Sequence, residues 1–446
     1  MKKIKKVRFN ALAGYIRDFR TQSIGEEVEW YEKEDVLSVI FFDYVDKLYN
    51  VIILGQDEDL RYRCVDLSCN FPSKQLAEKE VRQKLDYWTK QPRSAFLQED
   101  DSGDSLDFLT PLKTIPREKL NSYFKKLVFD DDHLSAKQLI SYLMRYYRTR
   151  DIGVIGQFQT DGFHSRIWEL YLYAMLSEIG FSFEQVNSNK PIDFLCQNQN
   201  GKIAIEATVI NPRNSNQVYR ISPEEYKEYY SKNFDDICIK IYNALTKKLT
   251  KKYWEYYKNI PLVIALQDFH YPFSSQLLVS PLMSFLYGQK LTQESGIYKL
   301  YNIEEHKGDK KTKESNFWSF PDSENVSAVI CNTQGTLPKF NRMGIVAGFK
   351  YSSDITISRS VTFIEKGDCS KIKTTEWLDI KHNDYSETWT EGLNVFHNPK
   401  ARVPLDMNFF PNAHHCYGDR FLYPPFYVLT SITMLLKNGA SGEELT

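Results

Sequence analysis

Apolar and polar positions alternate in short runs along the first seventy residues. Leu37-Ser38-Val39-Ile40-Phe41-Phe42 and Tyr49-Asn50-Val51-Ile52-Ile53-Leu54 are β-rich, and Asp57-Glu58-Asp59 marks a turn between strands. From Gln75 to Trp88 the period lengthens to that of a helix, with Leu76, Val81 and Leu85 apolar. Residues 1–95 are therefore predicted to form a small α+β accessory domain. The acidic run Glu99-Asp100-Asp101-Ser102-Gly103-Asp104-Ser105 follows as the best linker in the chain. Two helices are expected over 117–150, so that 96–150 is linker and helices.

The pattern changes after residue 150. A helix over 165–179 stops at Gly180, strands follow over 181–186 and 192–196, and an Asn/Gly turn leads into a strand over 202–209. A long helix is predicted over 237–257. Pro261-Leu262-Val263-Ile264-Ala265-Leu266 is almost wholly apolar, as in a strand covered on both faces. Helix, hairpin, strand, helix, strand is the order of an α/β core with a mixed sheet, spanning 151–300. Residues 305–325 are polar and Lys-rich and read as a mobile loop. Strands over 326–331 and 344–349 come next, and a Pro- and aromatic-rich region ends in a short helix. Residues 301–446 are thus a C-terminal extension packing on the core.

Composition narrows the functional classes. With 446 residues, 42% hydrophobic and 26% charged, the chain has room for two or three globular domains, which excludes disorder, collagen and coiled-coil rods. No stretch approaches the roughly 18 apolar residues of a membrane helix. The basic start Met1-Lys2-Lys3-Ile4-Lys5-Lys6 has no apolar run behind it, and the seven cysteines show no Cys-x-x-Cys spacing. A cytoplasmic protein with reduced thiols and no membrane partner is expected. Lys plus Arg number 57 against 58 Asp plus Glu. That balance argues against a constitutive, non-specific nucleic-acid binder, but not against an enzyme with its cations on one face.

The chemistry concentrates in three carboxylates. Asp193 and Glu206 fall 13 positions apart, at the ends of adjacent strands, each in apolar surroundings where a lone carboxylate costs several kcal/mol. They are expected to come close enough to share one cation. A hard divalent ion with oxygen ligands would meet that need. Glu169 belongs to a helix apolar on nearly every face; it is either paired with Arg166 or aimed at the same cavity, on the same side of the sheet. His414-His415-Cys416 lacks zinc spacing, and no metal is expected there. Lys339 and Arg342 lie in a Pro-shaped loop, either solvated or touching a phosphate backbone.

A helix bearing Glu169, then Pro191-Ile192-Asp193, then Glu206-Ala207-Thr208 resembles the PD-(D/E)xK phosphodiesterase superfamily of restriction-endonuclease-like folds, over roughly residues 150–275. The run from Gln157-Phe158-Gln159-Thr160 through Gly162-Phe163 to Arg166 and Glu169-Leu170-Tyr171-Leu172 also resembles a group of uncharacterised bacterial proteins with such a domain. The resemblance implies Mg²⁺ (or Mn²⁺) bound by Asp193 and Glu206, with Glu169 completing the site. It also implies a lysine two positions after the Glu to assist the attacking water. The expected function is metal-dependent hydrolysis of phosphodiester bonds in DNA or RNA, regulated by a protein partner or ligand.

This chain departs from the pattern at the lysine, where Thr208 stands instead. At about 100° per residue, Ile237, Ile241, Ala244, Leu245 and Leu249 form one stripe of the predicted helix. Lys240 and Lys247 point away from it, whereas Lys248 and Lys252 fall inside. Lys248 is therefore the candidate migrated catalytic lysine, and Lys252 a candidate for substrate binding. Gln157 and Gln159, just ahead of the Glu169 helix, are candidates to hydrogen-bond a phosphate or the nucleophile. Two alternatives stay open. One is an inactive nuclease-fold subunit that binds nucleic acid or a protein partner, with Thr208 marking the lost activity. The other is a different hydrolase using Asp193 and Glu206 as an acid/base pair.

Overall fold

The alternating runs of the first seventy residues form a five-stranded antiparallel sheet, Lys2–Ile4, Gly25–Lys33, Val36–Asp43, Tyr49–Gln56 and Tyr62–Phe71, paired in chain order. The structure, a computed structural model, describes residues 1–98, 106–149, 151, 153–184, 191–212, 222–294, 297–365, 372–382, 384–437 and 444–445. The acidic linker at 99–105 and the end of the strand expected over 181–186 lie outside the described residues. Helix Lys74–Trp88 begins at Ser73, whose hydroxyl accepts from the Leu76 N–H. It lays Ala77, Val81 and Leu85 against Val36, Ile40, Val51 and Ile53 on one face of the sheet. Leu37, Val39 and Leu54 on the other face join the apolar cluster of the central layers.

The central sheet has eight strands whose spatial order follows the chain. They are β1 (Ser182–Glu184), β2 (Phe194–Asn198), β3 (Gly201–Ile210), β4 (Leu262–Asp268), β5 (Ala328–Asn332), β6 (Leu393–His397), β7 (His414–Cys416) and β8 (Phe421–Leu422). β1, β2 and β3 are antiparallel neighbours, β3, β4 and β5 run parallel, and β6 turns antiparallel to β5. Strand alternation divides the core in two. Val263 and Ala265 of β4, with Ile203, Ile205 and Ala207 of β3, face helix α1 (Phe163–Ile179). Leu262, Ile264 and Leu266, with Ala204, face helices α2 (Phe234–Leu249) and α3 (Val279–Tyr287). This is a mixed α/β sandwich of helix, sheet and helix. No helix of the described residues is long and apolar enough to cross a membrane.

Three sequence expectations are corrected. Residues 344–349 are not a strand: they end helix α4 (Leu337–Val346), which Pro338 helps to start. A Cβ at Gly344 would meet the Ser135 carbonyl at 2.5 Å, so this turn packs too closely for any side chain. Among the described residues the C-terminal region ends in strands and not in a helix. Phe426–Lys437 is a strand paired antiparallel with Ile355–Glu365, burying Ser431, Thr433 and Leu435 on alternate positions. Finally, 305–325 is not a loose loop. It holds a hairpin, Glu305–Lys307 with Thr312–Glu314, and short 3₁₀ turns that bury Phe317 and Trp318.

Candidate active site

Asp193 and Glu206 face each other by register. Phe194 pairs with Ile205, which puts Asp193 opposite Glu206 one step further out. Leu195 and Ala204 point to the α2 face, and so by alternation do Asp193 and Glu206. Asp193 keeps a partly exposed side chain, and its Oδ2 accepts the Ala207 N–H at 2.7 Å. Glu206 is buried. Its Oε1 accepts both from Lys248 Nζ at 2.5 Å and from the Tyr253 hydroxyl at 2.7 Å.

The helix face explains how Lys248 gets there. Ile237, Ile241, Leu245 and Leu249 of α2 are buried against β3 and β4. Lys248, one position before Leu249, lies at the edge of that stripe, where its stem is covered and its ammonium meets Glu206. Thr208, two residues after Glu206, faces the same layer, so α2 delivers an ammonium over the strand face that lacks one. Lys247, about 100° around the helix, is exposed.

The helix expected over 237–257 breaks early, and this moves Lys252. α2 ends at Leu249, and Lys252 adopts φ 51°, a left-handed conformation that starts a 3₁₀ turn over Tyr253–Glu255. Lys252 is exposed and off the stripe, while Tyr253 is turned inward onto Glu206. The tyrosine was not legible in the sequence, because no Gly or Pro marks the break.

Glu169 pairs with Arg166, one of the two arrangements expected for it, and departs from the expected side of the sheet. It comes from α1, on the opposite face of the sheet from α2, so it does not share a side with Glu206. Its Oε2 accepts from the Tyr147 hydroxyl at 2.8 Å and from Arg166 Nη1 at 2.6 Å. Arg166 in turn bonds Asp151 and, at 2.5 Å, the side-chain oxygen of Gln157. Gln157 is thus a partner of Arg166. Gln159 is corrected to a buried strut: its amide donates to the Phe108 and Thr110 carbonyls at 3.2 and 2.8 Å and accepts the Leu112 N–H at 2.9 Å.

Asp193 sits at the strand end, where the fields of both layers meet. Burial, then the negative charges of Glu206 and Glu169, push its carboxyl well above the usual carboxylate range, against Lys248 and the Ala207 N–H. Burial likewise raises Glu169, opposed by Arg166 and Tyr147. Four carboxylates, Asp193, Glu206, Glu169 and Asp151, thus share two close cations, Lys248 and Arg166. Among the described residues no group of three or more His, Cys, Asp or Glu side chains is arranged to hold a metal ion. Any ion here would rest on Asp193 and Glu206, whose Oδ1 and Oε2 carry none of the bonds above.

Other basic and metal-type residues are taken up by the fold. Lys339 and Arg342 lie on α4, not in a loop, and pair with Glu387 in the interior, so neither can reach a phosphate backbone. His415 Nδ1 is 2.8 Å from His397 Nε2, and His414 Nδ1 is 2.9 Å from Asn394 Oδ1. Comparison with family models, with curated proteins and with solved structures finds no match for the chain.

Proposed function

We propose that the protein is a metal-dependent nuclease that hydrolyses phosphodiester bonds of DNA or RNA at Asp193, Glu206 and Lys248. The observation that carries this reading is Lys248 Nζ, held 2.5 Å from Glu206 Oε1 beside the strand position where Thr208 offers no charge. The donor set suits Mg²⁺ or Mn²⁺. Mg²⁺ takes one or two protein carboxylates and fills its other positions with water and substrate phosphate. Burial, with the negative charges of Glu206 and Glu169 added to it, raises the Asp193 carboxyl, and a cation would relieve that share of the cost which is charge. When bound, it polarises a phosphate oxygen and lowers the pKa of a water.

The chain's own groups supply the rest. The Ala207 N–H fixes one oxygen of Asp193, and Tyr253 fixes one oxygen of Glu206. The Lys248 ammonium donates to charge that develops on the phosphoryl oxygens or orients the attacking water. Arg166 and Tyr147 hold the Glu169 carboxyl in place by hydrogen bonds. Control by a partner or ligand is part of the proposal, because an unregulated nuclease damages its host.

The test is incubation of the purified protein with plasmid, single-stranded DNA and RNA, with Mg²⁺, Mn²⁺ or EDTA. Metal-dependent cleavage is expected, and Asp193→Ala and Glu206→Ala are expected to abolish it with folding intact. Cleavage at the wild-type rate in both variants would refute the assignment. A chain that cuts nothing in any metal would be a nuclease-fold binding subunit.

A further inference from the structure

A second set of side chains, away from the carboxylate site, has the order of groups that activates a hydroxyl. The hairpin Glu305–Lys307/Thr312–Glu314 carries His306, fully buried, between Asp235 in the first turn of α2 and Ser315 just past the hairpin. His306 Nδ1 lies 3.1 Å from Asp235 Oδ1, and His306 Nε2 lies 3.1 Å from Ser315 Oγ. Nucleophile, base and orienting carboxylate are each within hydrogen-bond reach of the next. Ser315 also lines a cavity of ≈ 440 Å³, together with Tyr287, Asn302, Ile303, Glu304 and Phe320. That volume is within the range of small-molecule sites.

The proton can be followed through the set. Ser315 has one hydroxyl proton and two acceptors in reach, His306 Nε2 and the Ser284 carbonyl at 3.0 Å. With Nδ1–H donated to Asp235, a neutral ring leaves a lone pair on Nε2, and the hydroxyl donates to it. A charged ring donates from both nitrogens, and the hydroxyl turns to Ser284 instead. Ser315 Oγ therefore keeps a partner in either protonation state. Burial holds His306 below its usual value, against the pull of Asp235, so the form able to take a proton is present at neutral pH.

We propose that Ser315, His306 and Asp235 form a second catalytic site, one that hydrolyses neutral or cationic carboxylic esters through an acyl-serine. Glu304 and Glu314 in the cavity lining set the charge preference, since they repel a substrate carboxylate. Ser315 Oγ bonds to the acyl carbon as its proton passes to His306 Nε2. The bond from acyl carbon to alkoxy oxygen breaks, and the alcohol leaves with that proton. Water then attacks the acyl-serine, again giving a proton to Nε2, and the serine departs with it. Ester and water become acid and alcohol, with nothing else consumed.

Reactivity separates this site from a buried histidine that merely satisfies two neighbours. The full-length protein, kept in EDTA so that metal-dependent cutting is silent, is treated with a fluorescent alkyl fluorophosphonate and digested. One adduct is expected, on the peptide that carries Ser315, and none in Ser315→Ala. His306→Gln should slow labelling by about 100-fold or more, as loss of a general base does. Asp235 is only partly buried, so Asp235→Asn tests the set even if the other variants fold poorly; it should slow labelling by orders of magnitude, because the amide favours the wrong tautomer of His306. Hydrolysis of p-nitrophenyl acetate should fall in parallel. A wild-type protein without an adduct on Ser315, or labelling unchanged in Asp235→Asn and His306→Gln, overturns the proposal.

Discussion

Two buried charge clusters in this protein make opposite use of the same side chains. Around Glu387, Arg359 Nη1 lies at 2.5 Å, Arg342 Nε at 3.1 Å and Lys339 Nζ at 3.4 Å, and Arg359 also reaches Glu391 at 2.9 Å. Burial alone would raise the Glu387 carboxyl, yet Arg342, Arg359 and Lys339 hold it well below the usual range. Around Asp193 burial acts in the same direction, but the neighbours are Glu206 and Glu169, and the carboxyl goes up. Burial pushes both acids up, and three close cations outweigh it at Glu387 while neighbouring carboxylates add to it at Asp193. The Glu387 cluster meets its carboxylates with cations of its own and ties α4 to the C-terminal sheet. The Asp193 cluster is short of positive charge, which is the condition for taking a cation from outside.

The largest expected effect comes from breaking the closed cluster. Glu387→Gln leaves three interior cations without their shared partner and should destabilise folding by about 3–5 kcal/mol, read as a shift of the urea midpoint. Asp193→Asn, in the open cluster, should do the reverse and stabilise the fold, because it removes a carboxyl that burial and the neighbouring Glu206 and Glu169 disfavour in its charged form. Equal losses in the two variants would dissolve the distinction.

Next in size is the cation of the open cluster. Lys248→Met keeps the packed stem and removes the charge, and is expected to lower cleavage by about 100-fold, or about 2.7 kcal/mol, in single-turnover assays. A Met variant that cuts at the wild-type rate would make Lys248 a structural partner of Glu206 only.

Glu178 sharpens the comparison at the edge of the closed cluster. Its Oε2 accepts the Trp389 and Thr390 N–H groups, and burial lifts its carboxyl to about 7 despite the nearby Lys339. A folded value above the unfolded 4.5 means that the native state binds the extra proton between these limits. Stability is then highest below about pH 4.5 and is lost as pH rises through 7. Glu178→Gln should flatten that fall, gaining about 1–3 kcal/mol at pH 8 and little at pH 4, as seen in thermal melts across the range.

The smallest effects separate ligand from fold. Mg²⁺ at ten times its Kd should raise stability by about 1.4 kcal/mol in the wild type and not in Asp193→Ala or Glu206→Ala. Lys247→Ala, on the exposed side of α2, should leave both cleavage and melting within about 0.5 kcal/mol of wild type.

What the amino-acid sequence determined by itself is whatever depends on short spacings. The alternation of β3 and β4, the hairpin joining β2 to β3, and the position of Lys248 beside the α2 stripe follow from periods of two and 3.6 residues. Those periods suffice to bring Asp193, Glu206 and Lys248 to one sheet face. Tertiary structure alone decided the rest. The left-handed turn at Lys252, which exchanges that lysine for Tyr253, has no local signal. The seating of Glu169 against Tyr147 depends on a helix crossing the other face of the sheet. Lys339, Arg342, Arg359 and Glu387 meet only because α4, the strand Ile355–Glu365 and the segment after it converge, and Asp235, His306 and Ser315 meet only because a hairpin lands on α2. Periodicity orients a side chain on its own element; which charge it finds there is set by elements tens to hundreds of residues away.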